Sequence, residues 1–120
     1  MTIEKVIHTI KEMHKEYQTE YFKFPALYKE PDEDLLAADV AVLKKYYDNM
    51  TLLEYHAGGI HAEFMLDNDV FASVIKHKMT NYEWEIMSPA IIRNDDALIA
   101  HLTNDDVIEC LDSISKGHLI

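Results

Sequence analysis

The sequence predicts an α+β protein in which a small three-stranded antiparallel sheet, formed by a hairpin over 51–66 and a strand over 81–87, packs with about five helices. Two hydrophobic patterns predict this class. Apolar residues recur at spacings of three and four in some segments, and they alternate with polar residues in others. The length of 120 residues suits one domain, so we assign 1–120 to a single folding unit.

The first two elements are predicted to be amphipathic helices. Residues 2–21 carry apolar side chains at helical spacing, and Thr2 is a suitable N-cap for them. The second helix is predicted to begin at Pro31, with acids in its first turn that complement the helix dipole. The expected buried residues are Ile3, Val6, Ile7, Ile10, Met13 and Tyr17 in the first helix and Leu36, Val40, Leu43 and Tyr47 in the second.

The predicted hairpin turns at Gly58 and Gly59, which separate two alternating segments. Both central positions of a type I′ turn need positive φ, and glycine adopts it without strain. This turn pairs Tyr55 with Ala62 on an apolar face. It also places four polar residues on the opposite face, namely Glu54, His56, His61 and Glu63.

Three short helices are predicted in the C-terminal half, each preceded by Asn and Asp residues that resemble N-caps. The first follows Asn68 and Asp69 and contains Val70, Phe71, Val74 and Ile75. The second follows 94–96 and the third follows 104–106, and each carries apolar residues at helical spacing. Gly117 suits the position that ends the last helix.

The charge of the chain limits its partners. There are 22 acids and 11 Lys and Arg residues, for a formal net charge of −11. Residues 1–30 carry five of each sign, which leaves 17 acids and six bases for 31–120. Because such an excess repels phosphates and anionic lipids, we expect no direct nucleic-acid binding and no membrane association.

The compartment is predicted from two features. Cys110 is the only cysteine, so an intramolecular disulfide is impossible and a reducing environment is expected. The N-terminus lacks the pattern of a signal peptide, and no apolar run approaches the ~20 residues of a membrane span. We therefore expect a cytoplasmic protein.

The acidic clusters have two interpretations. Asp and Asn before an apolar run cap helices, which explains where these residues lie but not why so few bases balance them. Paired carboxylates also resemble the phosphate array of a duplex and would attract proteins that hold DNA. The predicted partner-binding residues are Asp32, Glu33, Asp34, Asp67, Asp69, Glu83, Glu85, Asp95, Asp96, Asp105 and Asp106.

In its size, its excess of acids and its lack of a catalytic motif, the chain resembles small bacterial and phage DNA-mimic proteins. The resemblance extends over 31–120 and rests on charge rather than on a motif. It implies a non-enzymatic monomer or dimer, without a cofactor, that blocks the DNA-binding surface of a basic protein. A histone-like protein or a nucleic-acid enzyme is the expected partner.

Two alternatives remain open from the sequence. An immunity protein or antitoxin for a nuclease toxin has the same charge requirement, with one dedicated partner and more aromatic anchoring. A small metalloenzyme is the other alternative. It requires the polar residues of the hairpin to share a transition metal across the two strands: Glu54, His56, His61 and Glu63.

Overall fold

A five-stranded antiparallel sheet lies at the centre of the protein, and its strands follow one another in chain order. The computed structural model describes residues 1–27 and 35–120. Its helices are α1 (Ile3–Lys23), α2 (Leu35–Val42) and α3 (Asn104–Ser115), with short 3-10 helices at Pro25–Leu27, Lys44–Asn49 and Lys78–Thr80. Its strands are β1 (Met50–His56), β2 (Gly59–Met65), β3 (Phe71–Lys76), β4 (Trp84–Met87) and β5 (Leu98–Leu102).

The predicted α+β mixture is present, but the prediction of three strands and five helices is wrong. Two segments predicted as helices are strands, so the sheet has five strands in the order β1-β2-β3-β4-β5. The strand predicted over 81–87 exists as the shorter β4, because Asn81 and Tyr82 have positive φ and belong to the preceding turn.

The first helix begins where the sequence predicts. The hydroxyl of Thr2 accepts a hydrogen bond from the backbone N–H of Lys5, as expected of an N-cap. Val6, Met13 and Tyr17 are buried, whereas the exposed fractions of Ile3 and Ile7 are 59% and 50%. The apolar stripe of α1 is therefore only partly covered.

The second helix buries Leu36 and Val40 completely, as predicted, and Leu43 is also buried but lies just after the helix ends. Tyr47 belongs to the following 3-10 helix and is partly exposed. The predicted start of the second helix at Pro31 lies outside the described residues. The same holds for three predicted partner-binding acids, Asp32, Glu33 and Asp34.

The hairpin is present, but its turn is displaced by one residue. Ala57 and Gly58 are the central residues, with φ of 45° and 83°, and Tyr55 pairs with Ile60 rather than with Ala62. Gly59 is needed in the strand instead. A Cβ at this position would lie 1.8 Å from the carbonyl oxygen of Lys76, so only glycine allows β2 to approach β3 there.

The helix predicted after Asn68 and Asp69 is strand β3. Ala72 and Val74 are completely buried, whereas Phe71, Ser73 and Ile75 are partly exposed, which is the period of two typical of a half-covered strand. Asp69 has a φ of 62° and its backbone N–H binds the carbonyl of Leu66. It therefore belongs to a turn between strands rather than to a helix cap.

The helix predicted after 94–96 is strand β5, which pairs with β4. The side chain of Asn94 both donates to the carbonyl of Leu98 and accepts from its backbone N–H. These bonds close the β4–β5 loop, so Asn94 supports a turn rather than a helix start.

The predicted last helix is present as α3, but it begins at Asn104, so 104–106 form its first turn rather than preceding it. Its N-cap is Thr103, which forms a reciprocal capping box with Asp106. Gly117 has a φ of 85° and follows the C-cap, and its N–H binds the carbonyl of Ile114. At the N-terminal end of α3, the indole N–H of Trp84 donates a hydrogen bond to Asn104 Oδ1 and attaches the helix to β4.

The hydrophobic core lies between the helices and one face of the sheet. Its largest buried side chains include Tyr17 of α1, Phe64 of β2 and Trp84 of β4. Residues of all three α-helices belong to the same core cluster. The opposite face of the sheet consists of the intervening residues of each strand.

Candidate protein-interaction face

Opposite the helices, the sheet presents a surface that we call the open face. Cross-strand pairing arranges its side chains in rows, because paired residues lie on the same side of a sheet. None of them is buried among the described residues. One row contains Leu52, Glu63, Ser73, Met87 and Leu98, the next contains Glu54, His61, Ile75 and Glu85, and Met65 and Phe71 pair at one end.

The open face is acidic. Glu54, Glu63 and Glu85 contribute carboxylates from three different strands, and no Lys or Arg of the five described strands accompanies them. The one cation in those strands, Lys76, points to the helix side. Its Nζ lies 2.7 Å from Asp39 Oδ1 of α2 and 5.6 Å from the centre of the Trp84 ring.

A chain of hydrogen bonds crosses the face from β1 to β3. Glu54 Oε1 lies 2.8 Å from His61 Nδ1, and His61 Nε2 lies 2.9 Å from Ser73 Oγ. A carboxylate only accepts hydrogen bonds, so in neutral His61 the proton is on Nδ1 and Nε2 accepts from the Ser73 hydroxyl.

The hydrogen bonds between Glu54, His61 and Ser73 have the connectivity of a Ser-His-acid triad, but their surroundings differ from those of an acyl-transfer site. Ser73 lies in the interior of β3, where backbone donors are directed at β2 and β4 rather than at a reacting oxygen. Glu63 is the cross-strand partner of Ser73, and its carboxylate opposes an anion there. The two hydrogen bonds therefore fix the orientation of the His61 ring.

Two further histidines lie beside the hairpin turn. The rings of His56 and His77 meet edge to face with their centres 4.9 Å apart. His77 is 4% exposed, and its Nδ1 accepts a hydrogen bond from the backbone N–H of Met79. Burial lowers the pKa of His77, and the proximity of His56 and His61 lowers it further.

The predicted metal residues are not brought together as one group. His61 is bound to Glu54 and to Ser73, His56 faces His77, and Glu63 pairs with Ser73. Within 1–27 and 35–120, no set of three or more His, Cys, Asp or Glu side chains is arranged to hold a metal ion. The displaced turn is the cause, because the predicted register had paired His56 with His61.

The predicted partner-binding acids are distributed over three places. Glu85 is on the open face. The turn between β2 and β3 and the loop between β4 and β5 lie at one end of the sheet and carry Asp67, Asp69, Asp95 and Asp96. The opposite end, ~15–20 Å away, carries Glu83, Asp105 and Asp106.

Some of these acids have local roles. Asp67 accepts a hydrogen bond from Asn49 Nδ2 at 2.8 Å, and Glu83 pairs with His101 Nδ1 at 2.9 Å. Asp106 caps α3, and the backbone hydrogen bond from Thr103 lowers the pKa of its carboxyl. Sequence reasoning was therefore correct that capping explains Asp106.

Sequence reasoning missed the open face as a surface. It recognised the polar residues of the hairpin, but it assigned β3 and β5 to helices, so Ser73, Ile75 and Leu98 had no place beside them. The alternation of buried and exposed residues in β3 is the signal that identifies the missing strand.

The largest groove described lies at the border of the open face, between α1 and β1. It has a volume of about 510 Å³ and is lined by Lys15, Glu16, Thr19, Glu20, Tyr55, His56 and Ala57. Its charges are mixed and come largely from α1. The groove therefore connects His56 to α1 and is not a separate acidic site.

No family model, curated protein or solved structure matches this chain. In the part of the chain that the structure describes, no helix has the length and hydrophobicity needed to cross a bilayer. The open face is therefore interpreted from its own geometry and charge.

Proposed function

We propose that this protein is a non-enzymatic acidic protein that binds a basic partner and blocks its DNA-binding surface. The observation that carries the proposal is the open face, on which Glu54, Glu63 and Glu85 stand without a Lys or Arg from the described strands. Proteins that hold DNA present Lys and Arg to the phosphates, and carboxylates attract the same cations.

Apolar side chains on the open face support a protein partner. Met65 and Met87 are 44% and 48% exposed, and Phe71 and Ile75 lie beside them in β3. Protein interfaces combine an apolar centre with charged groups, and methionine adapts its shape to different partners. The face therefore offers contacts that persist after charges have guided the encounter.

The acids at the two ends of the sheet support the same function in a different way. With a formal net charge of −11, the chain attracts a cationic protein from beyond contact distance. Peripheral charges mainly change the association rate and its dependence on salt, whereas contacts at the centre change the dissociation rate. Asp95, Asp96 and Asp105 are peripheral charges of this kind, so they should mainly affect the association rate.

A nuclease toxin with one dedicated inhibitor is the second candidate partner. The exposed Met65 and Met87 and the partly exposed Phe71 favour it, because an immunity protein needs anchoring contacts as well as charge. Affinity for such a toxin would survive high salt better than affinity for a general DNA-binding protein.

We also propose a cytoplasmic location. Cys110 is the only cysteine, and burial raises the pKa of its thiol, which keeps it protonated. A single protonated thiol is compatible with a reducing compartment. Light scattering of the purified protein distinguishes a monomer from a dimer.

The test is a binding titration against a purified histone-like protein at about 50 mM and about 300 mM salt, with duplex DNA as competitor. The triple variant Glu54→Gln, Glu63→Gln, Glu85→Gln should weaken binding roughly tenfold, because each lost attraction is worth a few tenths of a kcal/mol or more at an exposed site. Duplex DNA should displace the wild-type protein.

A matched control removes the same number of charges elsewhere. Glu4 lies on α1, Asp48 lies in the 3-10 helix Lys44–Asn49 and Glu109 lies on α3, and all three are exposed. Their replacement by Gln, Asn and Gln should mainly slow association. Equal losses of affinity in the two triple variants, or binding that ignores both salt and DNA, would show that the open face is not the contact surface.

A further inference from the structure

Three histidines from separate parts of the chain lie at the hairpin-turn end of the sheet. His56 ends β1, His61 lies in β2, and His77 follows β3 and caps the 3-10 helix Lys78–Thr80. The ring centres of His56 and His77 are 4.9 Å apart, and His61 is close enough to both strands to bind Glu54 and Ser73. The histidines therefore share the face with its carboxylates.

The charged groups around the histidines come from every neighbouring element. The open face contributes Glu54, Glu63 and Glu85 from β1, β2 and β4. On the side of α1, the groove that contains His56 is also lined by Lys15, Glu16 and Glu20. Lys76 is held by Asp39 on the helix side, and Lys78 Nζ binds the carbonyl of Ala26, so neither is directed at the carboxylates of the face.

His61 can accept a proton without rearrangement. In the neutral form Nδ1–H donates to Glu54 and Nε2 accepts from Ser73. After protonation Nε2–H donates to the Ser73 oxygen, so both bonds persist. The charge of the face therefore changes while its shape is retained.

His77 behaves differently, because its Nδ1 already accepts the backbone N–H of Met79 and the ring is 4% exposed. A proton on Nδ1 would remove that acceptor and place a charge in a buried site. A charge on His77 is therefore disfavoured by its burial.

We propose that His56, His61 and His77 make binding of the basic partner depend on pH, so that acidification releases the partner from the open face. Histidine is the side chain whose charge ordinarily changes between pH 5 and 8. An imidazolium at His61 offsets the Glu54 carboxylate that it binds, and each positive charge added at this end of the sheet repels the cations of the partner. This inference rests on the proposed function, because it concerns the same face.

The experiment uses an oligolysine peptide of about 20 residues, whose ammonium groups stay charged from about pH 5.5 to about 7.5. Any change in affinity over that range then comes from the protein. We expect binding to the wild-type chain to weaken roughly tenfold from about pH 7.5 to about 5.5, since two or three added charges each cost about threefold. Fluorescence anisotropy measures it.

The variant His56→Gln, His61→Gln, His77→Asn keeps polar side chains but cannot take up protons at these three positions, and it should lose most of the pH effect. The matched control His8→Gln, His118→Gln changes exposed histidines outside the group and should keep the full pH effect. If the triple variant fails to fold, His61→Gln alone should reduce the pH effect by a factor of about three.

The outcomes separate this inference from the proposed function. Binding at neutral pH that depends on Glu54, Glu63 and Glu85 but does not weaken on acidification overturns the pH inference and leaves the function intact. Absence of binding at neutral pH overturns both. Proton NMR of the wild-type protein adds a readout without any partner: at least two of the three imidazole rings must take up a proton in this range.

Discussion

Lys76 Nζ of β3 lies 2.7 Å from Asp39 Oδ1 of α2. The two side chains are only 19% and 12% exposed, so the pair is largely withdrawn from solvent. It attaches α2 to the covered side of the sheet. The alternation of β3 that places Lys76 on that side, opposite Ile60, leaves the open face without a Lys or Arg from the described strands.

Removal of one partner of this pair should be costly. We expect Asp39→Ala to lower the free energy of unfolding by about 3 kcal/mol, because Lys76 would be left charged and poorly solvated. The double variant Asp39→Leu, Lys76→Met should lose less than about 1 kcal/mol, since no charge remains buried. Urea denaturation measures both. A loss below about 1 kcal/mol for Asp39→Ala would mean that Lys76 turns towards solvent.

Several elements could be predicted from the sequence because local signals and tertiary packing agree. Thr2 caps α1, Asp106 takes part in the capping of α3 although the N-cap itself is Thr103, and Gly117 follows the end of α3. The hairpin was also predictable, although Gly59 was assigned to the turn when it is needed for close approach to β3.

The strands β3 and β5 could not be recognised from local signals alone. Val70, Phe71, Val74 and Ile75 fit a helical spacing, and Asp69 in front of them resembles a cap. The segment forms a strand instead, because β2 and β4 pair with β3 on its two sides and Ala72 and Val74 are buried in the sheet. Glu54, Glu63 and Glu85 could be seen separately, but their common face depends on these strands.

His77 makes the stability of the protein dependent on pH. Burial lowers its pKa below the ordinary value of 6.5, with smaller contributions from His56 and His61, so the unfolded chain binds the proton first. The contribution of His77 to the free energy of unfolding is therefore complete above about pH 6.5, and it is lost as the pH falls towards the pKa of His77 in the folded protein.

We expect the free energy of unfolding to decrease from about pH 7 to about pH 5, and to decrease less in His77→Asn. Asparagine retains a side-chain acceptor for the N–H of Met79 and does not titrate. Urea denaturation at several pH values measures the difference. Parallel pH profiles for the two proteins would contradict the assignment to His77.

Gly59 and Gly117 are required for different reasons: Gly59 allows β2 to approach the backbone of β3, whereas Gly117 adopts a positive φ. A Cβ on Gly59 would lie 1.8 Å from the Lys76 carbonyl oxygen, whereas a Cβ on Gly117 meets nothing within 4 Å. We expect Gly59→Ala to cost about 3 kcal/mol or more, because β2 and β3 must separate. Gly117→Ala should cost about 1 kcal/mol, for its φ of 85° alone. Similar thermal shifts in the two variants would contradict the close approach.

The non-enzymatic part of the proposal is tested at Ser73, whose hydroxyl lies 2.9 Å from His61 Nε2. An activated serine reacts with fluorophosphonates, since the phosphonyl group resembles an acyl substrate and its oxyanion needs donors. We expect no covalent label on Ser73 by intact-mass spectrometry, because Glu63 opposes that charge and the donors of β3 are directed within the sheet.

Ser113 on α3 is the matched control, and a known serine hydrolase shows that the probe is active. Ser73→Ala should keep binding to the basic partner and cost only about 1 kcal/mol, the worth of one hydrogen bond. Labelling of the wild-type protein that disappears in both Ser73→Ala and His61→Gln would instead identify Glu54, His61 and Ser73 as a nucleophilic centre. The carboxylates of the open face would then serve to select a cationic substrate, because the same field that attracts a basic protein attracts any cation.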